Sequence, residues 1–179
     1  MFVQTEITPN PNSLKFIPGK NVSNSGSFEV TKKDEVNNDL IRNILSINGV
    51  VGIFLSKDFI SVNKNNENSW DDIKHIVISH INEFYASGKE FVINKDLNEQ
   101  NESLEEIEKR IIQLLEDKIR PAIARDGGDI KFKEFKNGIV KVQLQGSCSG
   151  CPSSTMTLKQ GVQNLLCHYL PEVKSVEAI

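Results

Sequence analysis

Cysteine, tryptophan, tyrosine and methionine are all scarce here: 3, 1, 2 and 2 residues among 179. Three cysteines are too few, and odd in number, for a disulfide framework, so reduced thiols are expected. No apolar run approaches the roughly 20 residues of a membrane span. Neither sign of charge prevails, with 21 Lys and Arg against 24 Asp and Glu and a net charge of −3. A general binder of nucleic acid or of membrane surfaces is basic, so neither partner is favoured. Only 11 glycines and 6 prolines are present, which excludes a collagen-like fibre. What remains, 38% hydrophobic and 25% charged, is ordinary globular composition. The opening MFVQTEITPNPNSLKF lacks both the basic-then-apolar pattern of a secretory signal and the Arg-rich character of a transit peptide. A bacterial type of cytoplasm is therefore the expected location, with a processed form in the mitochondrial matrix as the alternative.

The length suits one large domain or two small ones, and charge decides for two. Residues 1–95 carry a net −1, residues 96–108 carry −6 with no basic group, and residues 109–179 carry +4. The sequence predicts a first domain over 1–95, an acidic linker over 96–102 and a second domain over 103–179. Ser103 is the expected helix cap, with Glu106 completing a capping box.

In the first domain, Phe2 to Ile7 and Leu14 to Ile17 read as strands around Thr8-Pro9-Asn10-Pro11-Asn12. A helix is expected over Asn37 to Ser46, with Leu40, Ile41, Ile44 and Leu45 turned inward. Val50 to Leu55 and Phe59 to Asn63 form an expected hairpin. Ser69 should then cap a helix to about Ala86 with Ile73, Ile76, Val77, Ile81 and Phe84 on its apolar stripe. Trp70, at that helix start, reads as packing.

The second domain reads as helix, strand, strand, helix, strand. The fold class is α+β: two small two-layer α/β domains, the second with its helices on one sheet face. Its first helix carries Ile107, Ile111, Leu114, Leu115, Ile119, Ala122 and Ile123, and Pro121 should kink it. Ile130 to Phe135 and Ile139 to Gln145 make a hairpin. A three-residue loop is expected there, because it pairs Ile130 with Leu144, Phe132 with Val142 and Glu134 with Val140 and keeps apolar residues on one face. The last helix, from about Ser153 to His168, shows Leu158, Val162, Leu165 and Tyr169 as its stripe. Glu172 to Glu177 should run parallel to a hairpin strand.

Chemistry concentrates in Gly146-Ser147-Cys148-Ser149-Gly150-Cys151-Pro152, between a strand end and a helix start. Two sulfurs two residues apart approach one metal centre, small neighbours permit the tight turn, and a helix N-terminus favours the thiolates that ligate metal. The pair should face outward. Two thiolates do not close a site, since structural zinc and common iron–sulfur clusters take four ligands. Cys167 lies roughly 24 Å along the same helix at about 1.5 Å per residue and reads as a buried apolar residue. His75 and His80 fall in the other domain on different helix faces, and His168 suits a helix C-terminus. Two chains sharing one centre is the economical solution. A thioredoxin-like redox pair, making the chain a thiol-disulfide oxidoreductase, and a zinc-bridged dimer stay open on this reading. The Asp126-Gly127-Gly128-Asp129 run is a helix stop and turn, with cation binding as its alternative.

The stretch Ile119 to Glu177, containing IRPAIARDGGDI and GIVKVQLQGSCSGCPSSTMTLKQGV, resembles the NifU-like C-terminal domain of Nfu iron–sulfur scaffold and carrier proteins. QTEITPNPNSLKF, INGVVGIF and DFISVNK are similar to the Nfu N-terminal domain, leaving out little but the linker. The resemblance implies a 4Fe-4S cluster (2Fe-2S as the alternative) held by Cys148 and Cys151 across a homodimer. It implies transfer to apo iron–sulfur targets, upstream assembly factors as partners, and no catalytic residues. Asn37-Asn38-Asp39-Leu40 departs from the Ser-Pro-Leu run of relatives, at a helix start.

Overall fold

The computed structural model describes residues 2–24, 26–90, 104–150 and 152–179. The chain divides into two compact units, 1–97 and 98–179. The linker expected at 96–102 and the cap expected at Ser103 lie outside the described residues.

The first unit is a five-stranded antiparallel sheet with β1 (Gln4–Ile7), β2 (Ser13–Ile17), β3 (Phe28–Val30), β4 (Val50–Leu55) and β5 (Ile60–Lys64) in the order β1-β2-β5-β4-β3. Register pairs Leu14 with Val62, Phe16 with Ile60, Ile53 with Val62 and Phe28 with Leu55, which puts all of them on one face. That face joins a core with helices α1 (Asp39–Leu45) and α2 (Trp70–Ala86). Each fully buried Leu, Ile or Phe there contributes about 1.5–3 kcal/mol by removal from water.

Helix α1 presents its four expected residues to that core, and the departing Asn38 supplies its own start. Its Oδ1 accepts from Leu40 N at 2.9 Å and Ile41 N at 3.2 Å. Helix α2 begins at its expected cap, Ser69, whose Oγ accepts from Asp71 N. Ile76 departs from the expected stripe: it is 45% exposed, one residue off the row of Ile73, Val77, Ile81 and Phe84. Trp70 packs on the core and donates its indole N–H to Pro11 O at 2.9 Å. Strand β3 has no counterpart among the expected elements; three residues in a polar stretch are too short a pattern.

In the second unit, Glu105 caps helix α3 (Glu106–Leu114), with its N–H donating to Glu108 Oε2 at 2.9 Å. The helix continues through a π turn (Leu115–Ile119) into α4 (Arg120–Arg125). Arg120 N–H donates back five residues to Leu115 O. Pro121 sits at the start of α4; it has no N–H, and in a regular helix its ring would strike the carbonyl four residues back. The wider π turn is the form the expected kink takes.

Strands β6 (Gly128–Lys136), β7 (Ile139–Gly146) and β8 (Ser175–Ala178) follow in that order, with β7–β8 parallel as expected. The β6–β7 loop is not the expected three-residue one. Asn137 (φ 53°) and Gly138 (φ 78°) form a two-residue turn, with Lys136 opposite Ile139 and Glu134 opposite Lys141. A bulge between Phe132 and Glu134 then restores Ile130–Leu144 and Phe132–Val142. Turn chemistry and face pattern are thus both satisfied, at the cost of one extra residue in β6. Glu134 reaches Lys141 at 2.9 Å; this hydrogen bond and then the lysine charge lower the Glu134 pKa, and the same contact raises that of Lys141.

Helix α5 (Pro152–Tyr169) buries Val162 and Leu166, and Leu170 just beyond its end is buried in place of Tyr169, which is half exposed. These residues share one core with Ile111, Leu115, Ile123, Ile130, Val140, Val142, Leu144 and Val176.

Candidate functional site

The site loop leaves β7 at Gly146, whose φ of 68° is the left-handed conformation that glycine adopts without strain. The chain then turns tightly: Ser149 N and Ser149 Oγ both donate to Gly146 O, at 3.1 and 2.8 Å. Ser147 is buried and fastens the loop to the preceding helix end. Its N–H donates to Gly127 O at 3.2 Å, and its hydroxyl donates to Asp126 O. On the other side, Thr155 Oγ1 in the first turns of α5 donates to Cys148 O at 3.2 Å.

Cys148 corrects the expectation of an outward-facing thiol. Its side chain is 7% exposed and belongs to the hydrophobic core of the unit. A Cβ placed on Gly128 would lie 2.7 Å from Cys148 Sγ and 2.7 Å from Gln145 O. The absent side chain of Gly128 is therefore the space the sulfur fills. Cys151, the second expected ligand, lies outside the described residues.

Next to Gly128 in β6, and opposite Gln145 of β7, Asp129 is 5% exposed. Arg120 Nε and a second guanidinium nitrogen meet its two carboxylate oxygens at 2.8 and 2.9 Å, and Ile130 N donates to Oδ1 at 2.9 Å. Such fork-to-fork pairing fixes geometry as well as charge. The Asp126–Asp129 run thus frames the loop: Asp126 gives its carbonyl to Ser147, and the Asp129 carboxylate is committed to Arg120. Arg120, Gly128 and Asp129 carry no individual signature in the sequence. Their signal was a double glycine between two aspartates, facing an arginine nine residues earlier.

The other candidates disperse. Cys167 is partly exposed rather than buried, and its thiol contacts Lys174 O at 3.7 Å. His168 stands edge-on to Tyr169 at 5.1 Å in the last turn of α5. His75 and His80 lie in α2, with His80 Nδ1 3.8 Å from Glu83. Among the described residues, no three His, Cys, Asp or Glu side chains gather in a metal-holding group.

Residues 111–177 match the NifU-like domain, and residues 3–88 match the family "Scaffold protein Nfu/NifU N terminal". The chain is 43% identical over 186 residues to NifU-like protein 4, mitochondrial, of Arabidopsis thaliana, covering 99% of this chain and 65% of that protein. It is also 43% identical over 183 residues to the human NFU1 iron-sulfur cluster scaffold homolog, mitochondrial, covering 100% of this chain and 72% of that protein. A solution structure of a NifU-like protein from Saccharomyces cerevisiae aligns with 54% of this chain and 87% of its own, at 28% identity and a TM-score of 0.47. The names of the plant and human relatives overturn the expected bacterial cytoplasm, since both proteins are mitochondrial. By these matches along nearly its whole length, the chain belongs to the Nfu/NifU family of iron–sulfur cluster scaffold proteins, with an Nfu N-terminal and a NifU-like C-terminal domain.

Proposed function

We propose that the protein carries an iron–sulfur cluster, of 4Fe-4S type, on Cys148 and Cys151 of two protomers and hands it to apo target proteins. The observation that carries this reading is Cys148 at a braced strand-to-helix junction in a chain of the scaffold family. Two further points support a site shared between chains. A cluster takes four thiolates, and Cys167 is engaged with Lys174 O rather than with the loop. The cluster is cargo: an incoming client thiolate displaces one cysteine sulfur at a time, forming one iron–sulfur bond as another breaks. The departing sulfur regains a proton, and nothing is oxidised or reduced. No group of this chain need act as a catalyst, in keeping with its scaffold relatives.

We assign the boundary between the domains to 96–102 and partner recognition to residues 1–95, which contain no cysteine. The mitochondrial relatives support a mitochondrial setting. The test is anaerobic reconstitution of the full chain with iron and sulfide, followed by transfer to an apo 4Fe-4S enzyme. The expected product is a coloured dimer with about four irons that activates the acceptor, and Cys148→Ala should lose colour and dimer together. A colourless monomer that cycles its cysteines against a disulfide substrate would instead identify an oxidoreductase.

A further inference from the structure

A thiol that binds a cluster shared with a second chain must lie at the surface, yet Cys148 is 7% exposed and seated in the core of its own unit. The seat is specific. Sγ occupies the space a side chain at Gly128 would take, with only 2.7 Å to the Cβ position and 3.2 Å from there to Cys148 Cβ. The loop over the sulfur is pinned by Ser147, through its hydroxyl to Asp126 O and its N–H to Gly127 O. It is bounded by Gly146 (φ 68°) and Gly150 (φ 75°), and a Cβ on Gly150 would meet nothing within 4 Å. A short loop between two left-handed glycines, one of them in open space, has room to re-form with the sulfur turned outward.

We propose that Gly128 is a socket in which the apo chain stores the Cys148 thiol, and that cluster loading draws the sulfur out by a rearrangement of residues 147–150. A metal–thiolate bond of about 2.3 Å leaves no room for Cys148 Sγ to stay against Gly128 while binding an iron that a second chain also holds. The stored thiol is shielded from alkylation and oxidation, which act on exposed thiolate. Return to the socket as the cluster leaves stabilises the emptied carrier and so favours transfer to the acceptor. What is loaded rests on the cluster-carrier reading; the socket itself does not.

The test uses the reduced, metal-free full chain and follows iodoacetamide labelling of Cys148, resolved by mass spectrometry. Native Cys148 should label at least tenfold more slowly than the same residue in urea at the same pH. Gly128→Ala should raise the native rate fivefold or more, with the melting curve showing that the unit is folded. Ser147→Ala, which removes the hydroxyl pin, should raise it severalfold, and Gly161→Ala, whose Cβ meets nothing within 4 Å, should leave it unchanged. Native labelling within threefold of the urea rate would overturn the socket, as would a folded Gly128→Ala with wild-type labelling. Should Gly128→Ala fail to fold, an unchanged rate in Ser147→Ala overturns it instead. Because labelling needs no cluster, a chain that fails to reconstitute would sink the carrier reading and leave this measurement standing.

Discussion

The Arg120–Asp129 ion pair is asymmetric, and the asymmetry can be measured. Asp129's side chain is 6% exposed, whereas that of Arg120 is 36% exposed and also lies 3.5 Å from Glu116. Replacing Arg120 with Met strands a buried carboxylate, and removing one partner of a buried pair costs about 3–5 kcal/mol. We take the lower end, ~3 kcal/mol, because Arg120 is partly solvated and the pair is therefore screened. Asp129→Asn is milder. Its side-chain oxygen still accepts from Ile130 N, and Arg120 turns to water and Glu116, so the expected loss is about 1–2 kcal/mol. At about 4–8 °C per kcal/mol for a unit of this size, Arg120→Met should lower melting of the second unit by roughly 12–24 °C. Asp129→Asn should lower it by roughly one third to two thirds as much. Far-UV circular dichroism of the full chain follows this, while fluorescence of Trp70, the sole tryptophan and a residue of the first unit, reports the other transition in the same sample. The double change Arg120→Met with Asp129→Leu should recover much of the loss, because no charge is left buried. Equal losses in the two single variants, or none, would refute the view that a stranded carboxylate sets the cost.

Three other outcomes are expected. Gly138 and Gly88 share φ near +75°, but a Cβ on Gly138 meets Lys174 Cγ at 2.8 Å whereas one on Gly88 meets nothing within 4 Å. Gly88→Ala should therefore cost only the left-handed strain of about 1–2 kcal/mol, and Gly138→Ala measurably more, by urea unfolding. Asn38→Ala removes two hydrogen bonds to the start of α1 and should cost about 1 kcal/mol, seen as faster amide exchange at Leu40 and Ile41. The Asp39 carboxyl is held below its usual pKa, first by the Lys89 hydrogen bond and then by the lysine charge. A lowered folded pKa adds stability above the unfolded value, and that stability is lost as pH falls through the folded one. Carboxyl NMR of Lys89→Met should show Asp39 titrating higher than in the wild type, and an unmoved titration would discard the contact.

How far the sequence reveals the fold depends on whether one signal or two govern a segment. Helices α1 and α2 follow a single strong period with a capping Asn or Ser, and both lie where periodicity puts them. The β6–β7 hairpin answers to two signals, an Asn-Gly turn that wants two residues and an apolar face that wants another register. Weighing them as rivals gives the three-residue loop; the chain satisfies both through a bulge at Lys133. Strand β3 is too short to carry a period of its own and is fixed by pairing with β4. At the site, spacing and flanking glycines locate the loop. The burial of Cys148 is not legible there, because it depends on what is missing at Gly128, twenty residues away. Cys167 departs from its expected burial for a related reason: near the end of α5 it is only partly covered, its thiol meeting the carbonyl of Lys174.

The π turn before Arg120 acts as an angular spacer. Leu115 and Ile123 are eight positions apart, and at about 100° per residue a straight α-helix would set them about 80° apart around its axis. One π turn takes in one residue more than an α turn, so the pair behaves as if seven apart, only about 20° out of line. Ile111, Leu115 and Ile123 accordingly all reach one core, and Arg120 arrives in line with Asp129. Deleting the exposed Lys118 would let an ordinary α turn replace the π turn with that alignment kept, whereas inserting one residue there would swing everything beyond it by roughly 100°. The cysteine loop would lose its brace although no residue touching it had been replaced: its alignment is set by how many residues the helix contains as well as by which ones.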